Sequence, residues 1–158
     1  MTPAAVTLPP FQELLDEHSG DVLGFLIASV GPHDAEDCFQ ETFIAALRSY
    51  PGLDRGDNLR GWLLTIAHRK AIDHVRARAR RAVPVAEPPA VTVEPSQREE
   101  SGLWRSVASL PPKQRSAVAL RFAADMPYRE IGEAIDCSEE AARRSVHEGL
   151  EKLRKELA

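Results

Sequence analysis

Three groups of side chains in this 158-residue chain have the types and spacing to do chemistry. Asp37, Gln40 and Glu41, inside AEDCFQETF (35–43), fall at i, i+3 and i+4. On a helix they share one face, and two carboxylates with an amide suit a basic protein surface better than a polyanion. Residues 59–82 instead gather seven basic residues and Trp62 against Asp73 alone. Bases beside an aromatic suit a single strand or a melting duplex, because charge follows the backbone while the ring stacks on exposed bases. EEAARRSVH (139–147) sets Glu139, Glu140, Arg143, Arg144 and His147 near the start of one helix. Arginine donates to phosphates or guanine edges, and a carboxylate accepts from the amino group of cytosine.

Each group also has a plainer reading. Glu139 and Glu140 complement a helix dipole at its first turn, as Glu36 and Asp37 would on their own helix. Trp62 serves the core with most of its ring, and Arg69 with Asp73 makes an i, i+4 ion pair. Arg143 and Arg144 fit a solvated face. No nucleophile–base pair, phosphate loop or metal-ligand spacing stands out, so no enzyme and no cofactor is expected. His68 and His74 are six apart and point to different sides of a helix. Cys38 and Cys137 read as reduced thiols of a cytoplasmic chain.

The net charge of −4 hides segregation. Residues 1–58 carry −8, residues 59–82 carry +6, residues 83–99 carry −2 and residues 100–158 are neutral. A polyanion sees the local field, so the acidic total does not exclude nucleic acid. No apolar run is long enough to span a bilayer, so no membrane insertion is expected. MTPAAVTLPP lacks a basic region followed by an apolar one and reads as a disordered lead-in over 1–10, not a secretory signal.

The elements that must position these groups are all helical. Aromatics are few, and a core of Leu, Ile, Val and Ala favours helix over sheet. Phe11, Leu14, Leu15, Val22, Phe25 and Leu26 predict a helix over 11–30. Asp34 is the expected N-cap of a second, over 35–49, whose stripe is Phe39, Phe43, Ala46, Leu47 and Tyr50. After the loop PGLDRGDN, Asn58 is expected to cap a third that runs to about 80. Leu59, Trp62, Leu63, Ile66, Ile72 and Val75 supply its buried side. Residues 83–99 hold four prolines and read as a mobile linker. The chain thus divides into a helical domain over 11–82 and a second over 100–158.

In the second domain helices are expected over about 101–109 and from Pro112 to about Ala124. A short helix follows, with Pro127 in its first turn, then the turn DCS. Ser138 caps a last helix reaching Leu157, with Ala142, Val146, Gly149, Leu150, Leu153 and Leu157 inward. A short helix, a three-residue turn and a longer helix make a helix-turn-helix, whose second helix usually enters the major groove of DNA.

The order of parts resembles the bacterial sigma factors of the extracytoplasmic-function (ECF) group, which carry only regions two and four. DAEDCFQETFIAALR resembles region 2.2, LRGWLLTIAHRKAIDHVRARARR resembles regions 2.3 and 2.4, and LPPKQRSAVALRFAADMPYREIGEAIDCSEEAARRSVHEGLEKLR resembles region four. The resemblance implies binding to core RNA polymerase, through the β′ clamp helices and the β flap. It implies an opened −10 element and a −35 element read as duplex. Members are often held inactive by an anti-sigma partner. By position, Asp37, Gln40 and Glu41 match the family's polymerase-binding D-x-x-Q-E. The loop from Arg55 to Asn58 matches its base-capturing loop. Trp62, His68, Arg69 and Arg76 fall where the family meets the opened strand. Arg129, Ser138, Glu139, Glu140, Arg143, Arg144 and His147 fall on the −35 surface, with Lys113 and Arg115 as phosphate contacts.

The chain departs from the family pattern at Arg69, where asparagine is common, and at Ser145 and Glu148, where bases are common. It departs again at Asp136, where glycine is usual. Aspartate tolerates the left-handed backbone that such a turn needs. No fused regulatory domain is expected after Ala158. Two rivals remain: a free-standing helix-turn-helix regulator, which leaves residues 35–82 without a task, and a polymerase-binding regulator that reads no promoter, which leaves the basic faces unexplained.

Overall fold

The computed structural model describes residues 8–53, 56, 58–81 and 98–157. Most of the lead-in, Arg55 and residues 83–97 of the expected linker lie outside the described residues. The helices are α1 (Phe11–Val30), α2 (Pro32–Ser49), α3 (Leu59–Arg81), α4 (Arg98–Ser109), α5 (Pro112–Phe122), α6 (Tyr128–Ile135) and α7 (Glu139–Leu157). A short 3-10 turn, Tyr50–Gly52, follows α2, and there is no strand among the described residues.

Local sequence accounts for most boundaries. Asn58, at φ 58°, ends the loop and its Oδ1 accepts from the Gly61 N–H at 3.0 Å, so it caps α3. Ser138 Oγ accepts from the Ala141 N–H at 3.0 Å and caps α7 in the same way. Asp136 closes α6 in the left-handed region, φ 58° and ψ 55°, as the turn requires. Gly132 then lets the turn approach α6 closely: a Cβ there would sit 2.6 Å from the Cys137 carbonyl oxygen. That contact is one a real side chain cannot make.

The start of α2 corrects an expectation. The helix begins at Pro32, three residues before the predicted start, with Gly31 as its N-cap. Proline at the first helical position has its φ already set and lacks the N–H that would be orphaned there. Asp34 therefore lies inside the first turn rather than capping it. Its carboxylate instead accepts from Arg78 Nη1 at 2.8 Å and lies 3.3 Å from His74 Nε2, tying α2 to α3. α4 begins at Arg98, within the expected linker, α5 ends at Phe122, and Pro127 is the N-cap of α6 rather than part of its first turn.

Packing departs further from the sequence pattern. Leu47 and Leu157, both predicted inward, are 54% and 56% exposed. Leu64 and the small residues Ala67 and Ala71 are buried on α3 instead. Helical periodicity sets the width of an apolar stripe, but its edges depend on which neighbour lies opposite. Phe11, Phe39, Phe43, Tyr50 and Trp62 form a chain of ring contacts at 4.8–6.3 Å across α1, α2 and α3.

The two expected domains share one core. Leu14, Phe25, Leu26, Leu63 and Leu64 belong to the same buried cluster as Leu120, Met126, Ile131 and Val146. α1 packs on α4 and α5, and α3 packs on α6. A satellite cluster of Val107, Leu110, Val118 and Leu153 holds α4, α5 and α7 together. Burying one large aliphatic or aromatic side chain is worth about 1.5–3 kcal/mol, so a seam of several such residues is a substantial contact.

Candidate polymerase and nucleic-acid interfaces

The acid and amide face of α2 stands open. Asp37, Gln40 and Glu41 are all exposed, while the neighbouring Cys38, Thr42 and Phe43 point inward. Thr42 Oγ1 bonds back to the Cys38 carbonyl at 2.6 Å, which locks the buried side of this turn. Burial first, then Glu41, Asp34 and Asp37, push the Cys38 thiol up to about 11, so it is an inert core group. Ile44, 51% exposed, and Leu47 continue the open face by one further turn. Periodicity puts Leu47 in the apolar stripe, and only the packing shows it open. Uncovered aliphatics beside an acidic row offer a protein partner both apolar area and charge.

On α3 the predicted contact residues divide. Arg69 and Arg76 are exposed. Trp62 is half-buried, its ring 6.1 Å from that of Tyr50. His68 is largely covered, and its Nδ1 has no hydrogen-bond partner among the described residues. Burial first, then the charge of Arg69, lower its pKa to about 4, so its ring is neutral near pH 7. Asn58 Nδ2 donates to Glu130 Oε1 of α6 at 2.9 Å. The end of the expected base-capturing loop is thereby held against the helix-turn-helix.

Most of the residues expected to read the −35 element come together on one exposed side of α7. Glu139, Glu140, Arg143, Arg144 and His147 all face outward, with Arg129 exposed on α6. Several have local partners as well. Arg143 lies 3.5 Å from Glu139 and its guanidinium sits 5.0 Å over the Tyr128 ring, which Arg121 covers at 4.6 Å. His147 lies 3.4 Å from Glu151. The Ser138 hydroxyl is the helix cap. Lys113 is exposed. Arg115 is not on this surface: it lines a cavity between the two halves, and Nη2 donates to the Leu110 carbonyl at 3.3 Å. Burial lowers the pKa of its guanidinium from the ordinary value.

An all-helical chain with an open acidic face, a basic third helix and a capped helix-turn-helix has the build of a DNA-binding transcription protein. The sequence profile of sigma-70 region 2 matches residues 14–81, and that of sigma-70 region 4 matches residues 107–155. RNA polymerase sigma factor CarQ of Myxococcus xanthus is 33% identical over 93% of this chain and 88% of its own length. ECF RNA polymerase sigma factor SigE of Mycolicibacterium smegmatis is 32% identical over 96% of this chain, which spans 63% of that protein. In fold, the chain is similar to the sigma factor RpoE of Bartonella quintana, crystallised in complex with the anti-sigma factor NepR. The TM-score is 0.75 at 21% identity, over 93% of this chain and 96% of that one. The chain belongs to the ECF sigma factors of the sigma-70 family. Among the described residues, no helix is long and apolar enough to cross a membrane.

Proposed function

We propose that this chain is an alternative sigma factor that joins core RNA polymerase and directs it to its own promoters. The observation that carries this reading is that region 2 and region 4 match one chain in that order. A free-standing regulator needs only the second. Asp37, Gln40 and Glu41 meet the β′ clamp helices, while the C-terminal half docks on the β flap. Arg55, Asn58, Trp62, Arg69 and Arg76 serve the opened −10 strand. Arg129, Ser138, Glu139, Glu140, Arg143, Arg144 and His147 serve the −35 duplex, with Lys113 on its backbone. The protein acts in the cytoplasm and is not an enzyme, since the polymerase makes the bonds.

Distance requires the two halves to part. About 25 base pairs separate the two promoter elements, roughly 85 Å at 3.4 Å each. A compact chain of this length is only roughly 40 Å across. The packed form therefore cannot span both, and the Asn58–Glu130 bond together with the shared core belongs to a resting state. An anti-sigma partner is the natural keeper of that state. Adding the purified chain to core polymerase with genomic DNA, and mapping new transcript starts, tests the reading. Starts that share a promoter pattern are expected. DNA binding without polymerase, and no new starts, sinks it.

A further inference from the structure

The cavity at the seam lies apart from the residues proposed above to meet promoter and polymerase. Its volume is about 450 Å³, and its walls come from α1, α3, α4 and α5, so both halves build it. Ser29, His74, Arg78 and Arg115 are its polar lining, and Val30 and Val75 are the larger apolar residues. Ligand pockets usually run from about 300 to 1,000 Å³, so the space is large enough for a small molecule.

Three buried polar atoms of these lining residues have no hydrogen-bond partner among the described residues: Ser29 Oγ, His74 Nε2 and Arg115 Nε. Native structures leave few such groups unsatisfied. A helical serine with nothing else to bond usually donates to the carbonyl four residues back, and Ser29, only 5% exposed, does not. Ser29 Oγ and Arg115 Nε are both able to donate, as is His74 Nε2 beside the Asp34 carboxylate, so a partner shared by these walls would be an acceptor. Charge narrows the partner further. Asp34 pairs with Arg78 and touches His74 Nε2 at 3.3 Å without hydrogen-bond alignment. Arg115 has no acid partner among the described residues, only the Leu110 carbonyl. Its lowered pKa marks a cation held partly out of water without a counter-charge. Water satisfies a hydroxyl but neutralises nothing.

We infer that the seam cavity binds a small oxyanion of the phosphate type, free or as the head group of a small metabolite, held by Ser29, His74, Arg78 and Arg115. Ligation from both halves stabilises the packed form over any opened one, because the opened one has no complete site.

Inorganic phosphate and, separately, glycerol phosphate are titrated into the full chain, with ionic strength fixed by chloride so that screening stays constant. Backbone amide NMR signals are followed. Saturable shifts centred on Ser29, His74 and Arg115 are expected for at least one of the two. Ser29→Ala weakens the binding about fivefold, the worth of one hydrogen bond. Arg115→Gln weakens it more than about tenfold, because its bond is charge-assisted. Tighter binding of the ester assigns the site to a metabolite whose organic part lies on Val30 and Val75, and equal or weaker binding assigns it to the free ion. Shifts that do not saturate, or that spread over all the basic helices, overturn the inference. So does a Ser29→Ala affinity equal to that of the parent. Ser29→Ala removes a hydroxyl bonded to nothing and keeps the fold, so it decides alone if Arg115→Gln does not fold. The assay contains neither polymerase nor promoter, and its failure leaves the sigma-factor reading untouched.

Discussion

α2 and α7 each turn a row of polar and charged side chains outward, but the rest of the molecule uses the two rows differently. Asp37, Gln40 and Glu41 make no hydrogen bond or ion pair among the described residues. With α2 starting at Pro32, only Asp34 lies in its first turn, so the helix dipole explains Asp34 and not the three beyond it. On α7, Glu139 and Glu140 do lie in the first turn, Glu139 pairs with Arg143, His147 pairs with Glu151, and Ser138 is a cap. Charge that supports a fold has two explanations, and charge that does nothing for it has one. The smaller face is therefore the sharper evidence for a partner.

The largest expected effect tests that contrast directly. The triple variant Asp37→Ala, Gln40→Ala, Glu41→Ala should bind core polymerase at least about a hundredfold more weakly, since it strips every polar anchor from the proposed interface. Its unfolding free energy should stay within about 0.5 kcal/mol of the parent, because no internal bond is lost. Surface plasmon resonance on core polymerase and chemical denaturation separate the two quantities. A variant that melts early and still binds would reverse the comparison.

His68 carries the other side of the contrast onto α3: a predicted DNA contact that the fold has already covered. Its folded pKa of about 4 lies below the ordinary 6.5. The unfolded chain takes up the proton first, so stability is full above about pH 6.5 and falls as pH drops towards 4. With the ring largely but not wholly covered, the loss is of order 1–2 kcal/mol. Urea titrations at pH 7 and pH 5 should show this slope for the parent and a flatter one for His68→Gln. Equal slopes would return His68 to the exposed, available class.

What the sequence makes legible divides along the same line between local and long-range physics. The caps at Asn58 and Ser138 and the left-handed Asp136 were readable, because each depends only on a residue type and its near neighbours. The acidic face of α2 was readable from spacing alone. The partners across the seam were not. Ala67, Ala71, Ala117 and Ala119 are buried, but alanine carries little periodic signal, so the close approach of the helices left no pattern to find. Asp34 looked like a cap because its type fits one; only the fold brings Arg78 and His74 to it. The seam cavity needs four helices to exist, and no single stretch of sequence encodes it.

A smaller effect probes whether α7 residues that have internal roles can also be assigned to DNA. Ser138→Ala removes the cap and should destabilise the chain by about 1 kcal/mol. Ser138→Asp keeps a capping oxygen and should restore stability, yet it places a negative charge beside the DNA face. If position 138 lies clear of the duplex, the aspartate variant should protect −35 duplex as the parent does in footprinting. Weakened protection with stability restored would show that position 138 also meets the duplex.

The smallest effect separates two neighbours on the same helix. Arg143 stacks on Tyr128 and pairs with Glu139, whereas Arg144 makes no hydrogen bond, ion pair or ring contact among the described residues. An exposed cation–π contact is worth about 0.5–1 kcal/mol and an exposed i, i+4 pair about 0.3–0.5. Arg143→Ala should therefore lower the unfolding free energy by about 0.5–1 kcal/mol, and Arg144→Ala by less than about 0.3. If both contact the −35 duplex, both variants should weaken DNA binding, and only the first should lose stability with it. A phosphate contact at Arg144 should also lower the salt dependence of binding by about one unit of slope, and a base contact should relax preference at one position of the site. Arg144→Ala with unchanged DNA affinity, beside a weakened Arg143→Ala, would leave Arg143 as the DNA contact, and would show that an arginine with a structural role can serve recognition as well as a free one.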